Sequence, residues 1–309
     1  MLNFTIRRIA WMFVTMFFIV LVTFVISFVV PGNPAATIAG PKASKEVIQS
    51  IENQLGLNLP KYVQFEHYID RLVLHGDLGM SYRTNQEVTD VLKDRFPKTL
   101  SLGLAVFLLN LLLGVPAGIY AALKQNKIMD KIIMVVSLIG TSAPTFLLGY
   151  LLMFFIAFKL KLLPIAGYGG GALQYMILPA FTVSLASSAG YIRVVRASML
   201  EVLGSDYVRT ARARGLSERT VVLKHAFRST LIPLITYAGM DLAGLMGGLI
   251  ITEGIFGWPG IGQMAVTAIA YQDMPLIMGS VLTGAVAVVL ANFVVDLLYA
   301  AADPRISYK

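Results

Sequence analysis

The 309-residue sequence predicts an all-α membrane protein, and three observations carry that reading. Hydrophobic residues make up 57% of the chain and charged residues 14%, against about 45–50% and about 25% in soluble domains. With a mean hydropathy of +0.73, the apolar surface exceeds what one water-surrounded core can hide, so lipid must solvate much of it. Apolar runs long enough to cross roughly 30 Å of hydrocarbon, which takes about 20 helical residues, occur at residues 9–30, 100–123, 132–158, 176–195, 231–251 and 275–300. Six transmembrane helices follow. A backbone in lipid must satisfy its hydrogen bonds internally, so the embedded part is helical, and Pro116, Pro144 and Pro179 mark kinks and not ends.

The first run follows Arg7 and Arg8, and its roughly 22 apolar residues exceed the usual 7 to 15 of a signal-peptide core, so it reads as a retained helix. The link over residues 31–98 carries eight basic and eight acidic residues. Its patterning is that of a small helical insert: Ser44 can cap a helix with Val47, Ile48 and Ile51 on one face, and Tyr62, Phe65, Tyr68, Ile69 and Leu72 form a second amphipathic stripe. The glycine cluster Gly167-Tyr168-Gly169-Gly170-Gly171 lacks the Lys and hydroxyl of a phosphate-binding loop and reads as an outer turn. The fourth run is the least apolar, with Thr182, Ser184, Ser187 and Ser188 among Ala186, Ala189 and Gly190. Such residues suit close helix contact or the lining of a wet path, and composition leaves both open.

Cations set the expected orientation. Arg7 and Arg8, Lys124, Lys127 and Lys131, and then Arg196, Arg209, Arg212, Arg214, Arg219, Lys224 and Arg228 flank one side of the spans. The other side has Lys159 and Lys161 after the third run and no cation after the fifth. The positive segments face the cytoplasm, both termini lie inside, and the 31–98 insert is extracytoplasmic. The net charge of +8 is therefore a cytoplasmic excess beside membrane lipid and not a nucleic-acid stripe. Three parts result: residues 1–30 with the first helix, the insert 31–98, and a core 99–309 that contains a cytoplasmic loop, 196–230.

Chemistry is narrowly bounded. The chain has no cysteine, and His67, His75 and His225 are too scattered for a zinc motif, so no metal site and no catalytic group is expected. The ionisable or amide residues within the spans are Asn110, Asp241, Asn292 and Asp296, with Glu253 near the outer end of the fifth, and buried charge makes each a candidate site. Asn110, Ser184, Ser187, Ser188 and Asp241 are candidates for a translocation path. Asp296, about a turn from the inner boundary, is expected to pair with a cytoplasmic arginine, and Asn292, one helical turn above it, to bond a neighbouring helix. Both read as structural. A proton-coupled carrier using Asp241, Glu253 and Asp296 is the alternative class.

The longest cytoplasmic link, residues 205–219, predicts a helix through Asp206 to Arg214 with a stop at Gly215, and a second helix capped by Ser217 and running through Val221, Val222 and His225. Such a projection suits a partner's cleft, where small Ala211, Ala213 and Gly215 permit close approach. It also suits a polybasic strip on anionic lipid, favoured by about 1 kcal/mol per cation.

Ordered motifs along the whole chain resemble the inner-membrane permease subunits of ATP-binding-cassette importers for dipeptides, oligopeptides, glutathione and nickel. They are Pro31-Gly32-Asn33-Pro34-Ala35, with Asn33 where the family usually has Asp, then Leu55-Gly56-Leu57-Asn58-Leu59-Pro60 and Gly76-Asp77-Leu78-Gly79-Met80-Ser81. The segment Asp206 to Gly215 with Lys224-His225-Ala226 and Ile232-Pro233 is similar to the ATPase-docking loop. Glu253-Gly254-Ile255-Phe256-Gly257-Trp258-Pro259-Gly260-Ile261-Gly262, Asp296 and Asp303-Pro304-Arg305 match the C-terminal third. The general docking motif begins Glu-Ala-Ala, and here Arg209-Thr210-Ala211 stands in that place, so Ala211 and Gly215 carry over while Arg209 does not inherit the acid's role.

The resemblance implies a type I importer permease fold in a bacterial or archaeal inner membrane. It implies ATPase coupling through Asp206, Tyr207, Ala211, Arg214, Gly215, Leu216 and His225. The implied partners are a homologous second permease, two ATPase subunits that bind ATP and Mg, and an extracytoplasmic solute-binding protein. This chain would hold no cofactor and perform no covalent chemistry. Short peptides are the expected cargo, with glutathione or a nickel complex as the alternative.

Overall fold

The computed structural model describes the backbone of residues 2–29, 33–40 and 42–302 and the side chains of residues 11–26, 33–40 and 42–295. Within these bounds the regular structure is helical, apart from one isolated antiparallel bridge between Met80 and Glu87. In chain order the α-helices are α1 (Leu2–Val29), α2 (Pro34–Ala39), α3 (Lys45–Leu55), α4 (Lys61–Asp70), α5 (Val88–Leu123), α6 (Ile128–Ser142), α7 (Thr145–Leu152), α8 (Leu173–Leu203), α9 (Asp206–Ala213), α10 (Glu218–Thr220), α11 (Phe227–Met246), α12 (Ile250–Phe256), α13 (Ile261–Ala270) and α14 (Met274–Ala302). Single π-helical stretches extend α4, α7 and α10.

Among the described residues, four helices are long and apolar enough to cross a membrane: Val88–Leu123, Leu173–Leu203, Glu218–Met246 and Met274–Val295. A fifth crossing is available if Ile128–Ser142 and Thr145–Lys159 act as one span, although they meet at 104°. The described apolar part of α1, Trp11–Ile26, is shorter, and the side chains at either end of the expected first run lie outside the described residues. The membrane-spanning helical class is thus as expected, but two boundaries change. Pro144 ends α6 and opens a new helix instead of kinking one, because the residue before it, Ala143, is held extended at ψ 132, as proline requires. Pro116 and Pro179 do sit inside continuous helices. The expected fifth span is divided: α11 stops at Met246, Gly248 takes a φ of +107 that a side chain would resist, and α12 starts afresh at Ile250.

The described chain forms two compact units, Met1–Thr99 with Pro259–Ala287, and Leu100–Trp258 with Val288–Lys309. In the first, the α4 stripe packs as predicted: Tyr68, with Phe65, Ile69 and Leu72, meets Val20, Phe24, Met278 and Leu282. Tyr62 does not join it and is 74% exposed. Tyr68 buries its hydroxyl without a hydrogen-bond partner among the described residues, and that burial pushes the phenol up to about 12. Ser44 caps α3 by accepting from the Val47 amide at 3.4 Å, but Val47 itself is exposed.

In the second unit α8 is the central helix. Gly114 and Gly118 of α5 lie directly against Ser188, Tyr191, Ile192 and Val195, and Gly140 of α6 lies against the Leu185 carbonyl, so a Cβ at any of the three would collide. Small residues here let backbones approach where lipid offers no hydrophobic drive between helices.

Candidate functional site

The 196–230 segment forms the expected helix-turn-helix, in which α9 is held from behind. Val208 and Ala211 are buried against Val202, Leu203 and Val221. Ala211 therefore supports the helix from within and does not lie on the surface, a correction to its expected place beside a partner. Arg196 also moves: it belongs to α8, which runs on to Leu203. Beyond α9, Gly215 has φ +76 and nothing within 4 Å of the position a Cβ would take, so the turn is open to solvent. Ser217 caps α10 by accepting from the Thr220 amide at 3.4 Å.

The surface presents Asp206, Tyr207, Arg214, Gly215 and Leu216, all exposed, with His225 half-buried. Tyr207 is 46% and Leu216 40% exposed. Arg212 pairs with Glu218 across the turn at 2.7 Å and Arg209 with Asp206 at 3.7 Å. Two of the four arginines on this loop are thus matched by local acids, leaving Arg214 and Arg219 without an ion pair among the described residues. A tip with an exposed aromatic, a leucine and half of its arginines neutralised by local acids suits a protein cleft better than a cationic strip adsorbed on lipid.

A second cluster lies within the spans. Asn110 of α5 donates from Nδ2 to Oδ2 of Asp241 on α11 at 3.0 Å, and the Tyr191 hydroxyl of α8 donates to the same oxygen at 2.8 Å. Ser187 donates to Asn110 Oδ1 at 2.9 Å. Asn110 and Tyr191 are fully buried, while Asp241 is half-buried. Tyr237 meets Tyr191 edge-on with ring centroids 4.9 Å apart. Of the expected path residues, the structure brings Asn110, Ser187 and Asp241 together. It separates Ser184, which is fully buried and donates to the Val106 carbonyl at 3.3 Å, and Ser188, which is 7% exposed. Those two serve helix packing. Asn292 is exposed on α14 and makes no hydrogen bond among the described residues, contrary to its expected contact with a neighbouring helix. The side chain of Asp296 lies outside the described residues, as do those of Arg7, Arg8 and the Asp303-Pro304-Arg305 motif.

Comparison with known proteins decides the family. Residues 114–308 match the binding-protein-dependent transport system inner membrane component, and residues 1–103 match the N-terminal model of the same transport-system membrane component. The chain belongs to this family. It is 40% identical over 309 residues, the full length of both chains, to the glutathione transport system permease protein GsiC of Escherichia coli strain K12, and equally to that of Shigella flexneri serotype 5b. Its fold resembles two inward-facing structures of the MetNI methionine ABC transporter. One matches with TM-score 0.56 at 17% identity over 70% of this chain and 97% of that one, the other with TM-score 0.58 at 19% identity over 69% and 96%. The chain is an inner-membrane permease component of an ABC importer.

Within this permease, two buried acids that the sequence reading passed over organise the units. Asp130 receives both Nε and Nη2 of Arg196 at 2.7 Å each and accepts from the Asn126 amide at 2.9 Å, clamping the start of α6 to α8. An acid three residues into a helix and a cation on the next span were the available signal. Asp273, 1% exposed, accepts from the Ser81 hydroxyl at 2.5 Å, the Tyr82 and Arg83 amides at 3.2 Å each and the Leu276 amide at 3.4 Å. It explains why the Gly76 to Ser81 motif ends in a hydroxyl.

The other motifs also resolve into local chemistry. Pro31 and Gly32 lie outside the described residues, but Asn33 caps α2 by accepting from the Ala35 amide at 2.9 Å, and its amide donates to Glu52 at 2.6 Å. An aspartate there could make the first bond and not the second. In the C-terminal motif Glu253 and Trp258 are fully buried, the indole packs edge-on against Tyr168 at 4.9 Å, and the Gly167 amide donates to the Phe256 carbonyl at 2.7 Å. The glycine-rich turn is thus tied to that motif.

Proposed function

We propose that this permease pairs with a homologous second permease to form a path for a short peptide of the glutathione class. A solute-binding protein would deliver the cargo, and two ATPase subunits docked on the α9–Gly215–α10 turn would drive its movement. The observation that carries the coupling is that turn: a helix fixed from behind by Val208 and Ala211, presenting Tyr207, Arg214, Gly215 and Leu216 outward. ATP-driven closure of the ATPases pulls on this projection and shifts the bundle between two states, which requires that the partners bind those states with different affinities. The peptide cargo is supported by full-length similarity to permeases named for glutathione, itself a tripeptide.

Uptake in reconstituted vesicles should require ATP and stop with vanadate. Loss of uptake on adding an uncoupler while ATP is clamped would instead identify a proton-coupled carrier. Docking is tested by Gly215→Arg beside Gly215→Ala. Both suffer the left-handed backbone, at roughly 1–2 kcal/mol, and only arginine fills the open space. Normal expression with ATPases lost from the purified Arg variant and kept in the Ala variant is expected. Full recovery of an active complex with Gly215→Arg would assign the loop to lipid.

A further inference from the structure

We infer that Asp241 is the counter-charge for an ammonium group of the cargo as it crosses the path, an inference that rests on the importer reading above and adds the recognising group. The hydrogen bonds of the cluster all run one way. Ser187 donates to Asn110, Asn110 donates to Asp241, and Tyr191 donates to Asp241. The Tyr191 hydroxyl proton is spent inside the cluster, and that of Ser187 on Asn110 Oδ1 or on the Val183 carbonyl 3.0 Å away. What remains is one amide hydrogen of Asn110, the lone pairs of Ser187 and the whole of Asp241 Oδ1, which takes no hydrogen bond among the described residues. Both donors to the carboxylate converge on Oδ2, so the second oxygen is held in a fixed direction by two fully buried side chains.

Such an arrangement selects a cationic donor. Asp241 lies within the Glu218–Met246 span and is half-buried, and a carboxylate at that depth does not face hydrocarbon but an aqueous path or a partner charge. Among the described residues it has no ion-pair partner. Arg193 is exposed on α8 and forms no ion pair with Asp241 among the described residues. The neighbouring half-buried Tyr237 ring adds aromatic surface of the kind that attracts ammonium groups. Three or more His, Cys, Asp or Glu side chains grouped to hold a metal ion are not found among the described residues, so the chemistry fits the amino terminus of a peptide and not a bare divalent cation.

The test uses the reconstituted importer with its binding protein and, as the probe, S-methylglutathione, a free-amine tripeptide whose blocked thiol cannot consume an alkylating reagent. Asp241→Asn should lower uptake about tenfold, the ratio for loss of one charge-assisted contact, while the second permease and ATPases still co-purify and the loaded binding protein still stimulates ATP hydrolysis. Because the chain has no cysteine, Asp241→Cys offers the permease's sole thiol. Its carboxymethyl adduct should restore uptake and its neutral carboxamidomethyl adduct should not. Trapping the complex with vanadate and loaded binding protein should slow alkylation of that thiol relative to trapping with empty binding protein.

Equal uptake with the two adducts, or equal alkylation in the two trapped states, would overturn the inference. So would loss of the second permease from Asp241→Asn, which would make the carboxylate an interface ion pair. Each of these results leaves ATP-driven uptake by the wild-type importer standing, whereas wild-type uptake that ignores vanadate would remove the importer reading itself.

Discussion

Asp130 is the residue on which the second unit's electrostatics turn. With 4% of its side chain exposed, it satisfies both nitrogens of the Arg196 fork and one backbone amide at once. A carboxylate and a guanidinium brought together this way gain little net stability over apolar residues, but removing one leaves the other uncompensated at about 3–5 kcal/mol. Arg196 keeps 23% of its side chain exposed, so water screens the orphaned cation and the low end of that range applies. Asp130→Asn should therefore destabilise the detergent-purified permease by about 3 kcal/mol, read from thermal or denaturant unfolding. The double variant Asp130→Leu with Arg196→Met should recover most of that loss. A single variant as stable as the parent would show that the clamp contributes nothing to folding.

At the scale of elements, apolar runs revealed where helices lie but not where they break. Composition was enough to place α5, α8 and α14, because no residue inside them halts the helix, Pro116 and Pro179 included. They failed at Ala143-Pro144 and at Gly247-Gly248, where the backbone of one or two residues overrides twenty apolar neighbours and no moving average registers it. They failed also for the α8 hydroxyls: Ser184, Ser187 and Ser188 have the same chemistry in sequence, and only packing against α5 separates the one that joins the Asp241 cluster from the two that do not.

Asp273 was invisible for a different reason. Its partners Ser81, Tyr82 and Arg83 lie some 190 residues away, a separation beyond any local pattern. Asp273→Ala would leave a buried hydroxyl and the amides of Tyr82, Arg83 and Leu276 without their acceptor, at roughly 1–3 kcal/mol for each group left unsatisfied. Hydrogen exchange should then accelerate for the amides of residues 81–83 and for the first turn of α14, with the middle of α8 unchanged. Unaltered protection at residues 81–83 would mean that Asp273 does not hold the turn.

For the whole molecule, charge predicts the orientation. A bilayer that sorts cations to the cytoplasm acts on short loops within reach of the span ends, and here the rule weighs Lys124, Lys127 and the cluster from Arg209 to Arg228 against Lys159 and Lys161 alone. The 31–98 segment does not vote, because it is longer than the short loops on which the rule acts. The native chain contains no cysteine, so single reporters can read this directly. Gln49→Cys and Ala172→Cys place thiols at exposed positions with ordinary backbone geometry, α3 and the N-cap of α8. Ala172 is chosen over Gly170, whose φ of +67 would strain any side chain. Arg219→Cys places a third reporter on the exposed turn between α9 and α11. An impermeant maleimide added to intact cells should label the first two and spare the third, and Arg219→Cys should become reactive once the membrane is opened, which excludes shielding by the fold. Labelling of Arg219→Cys in intact cells would invert the molecule and leave the proposed ATPase-docking turn on the wrong side of the membrane for ATP.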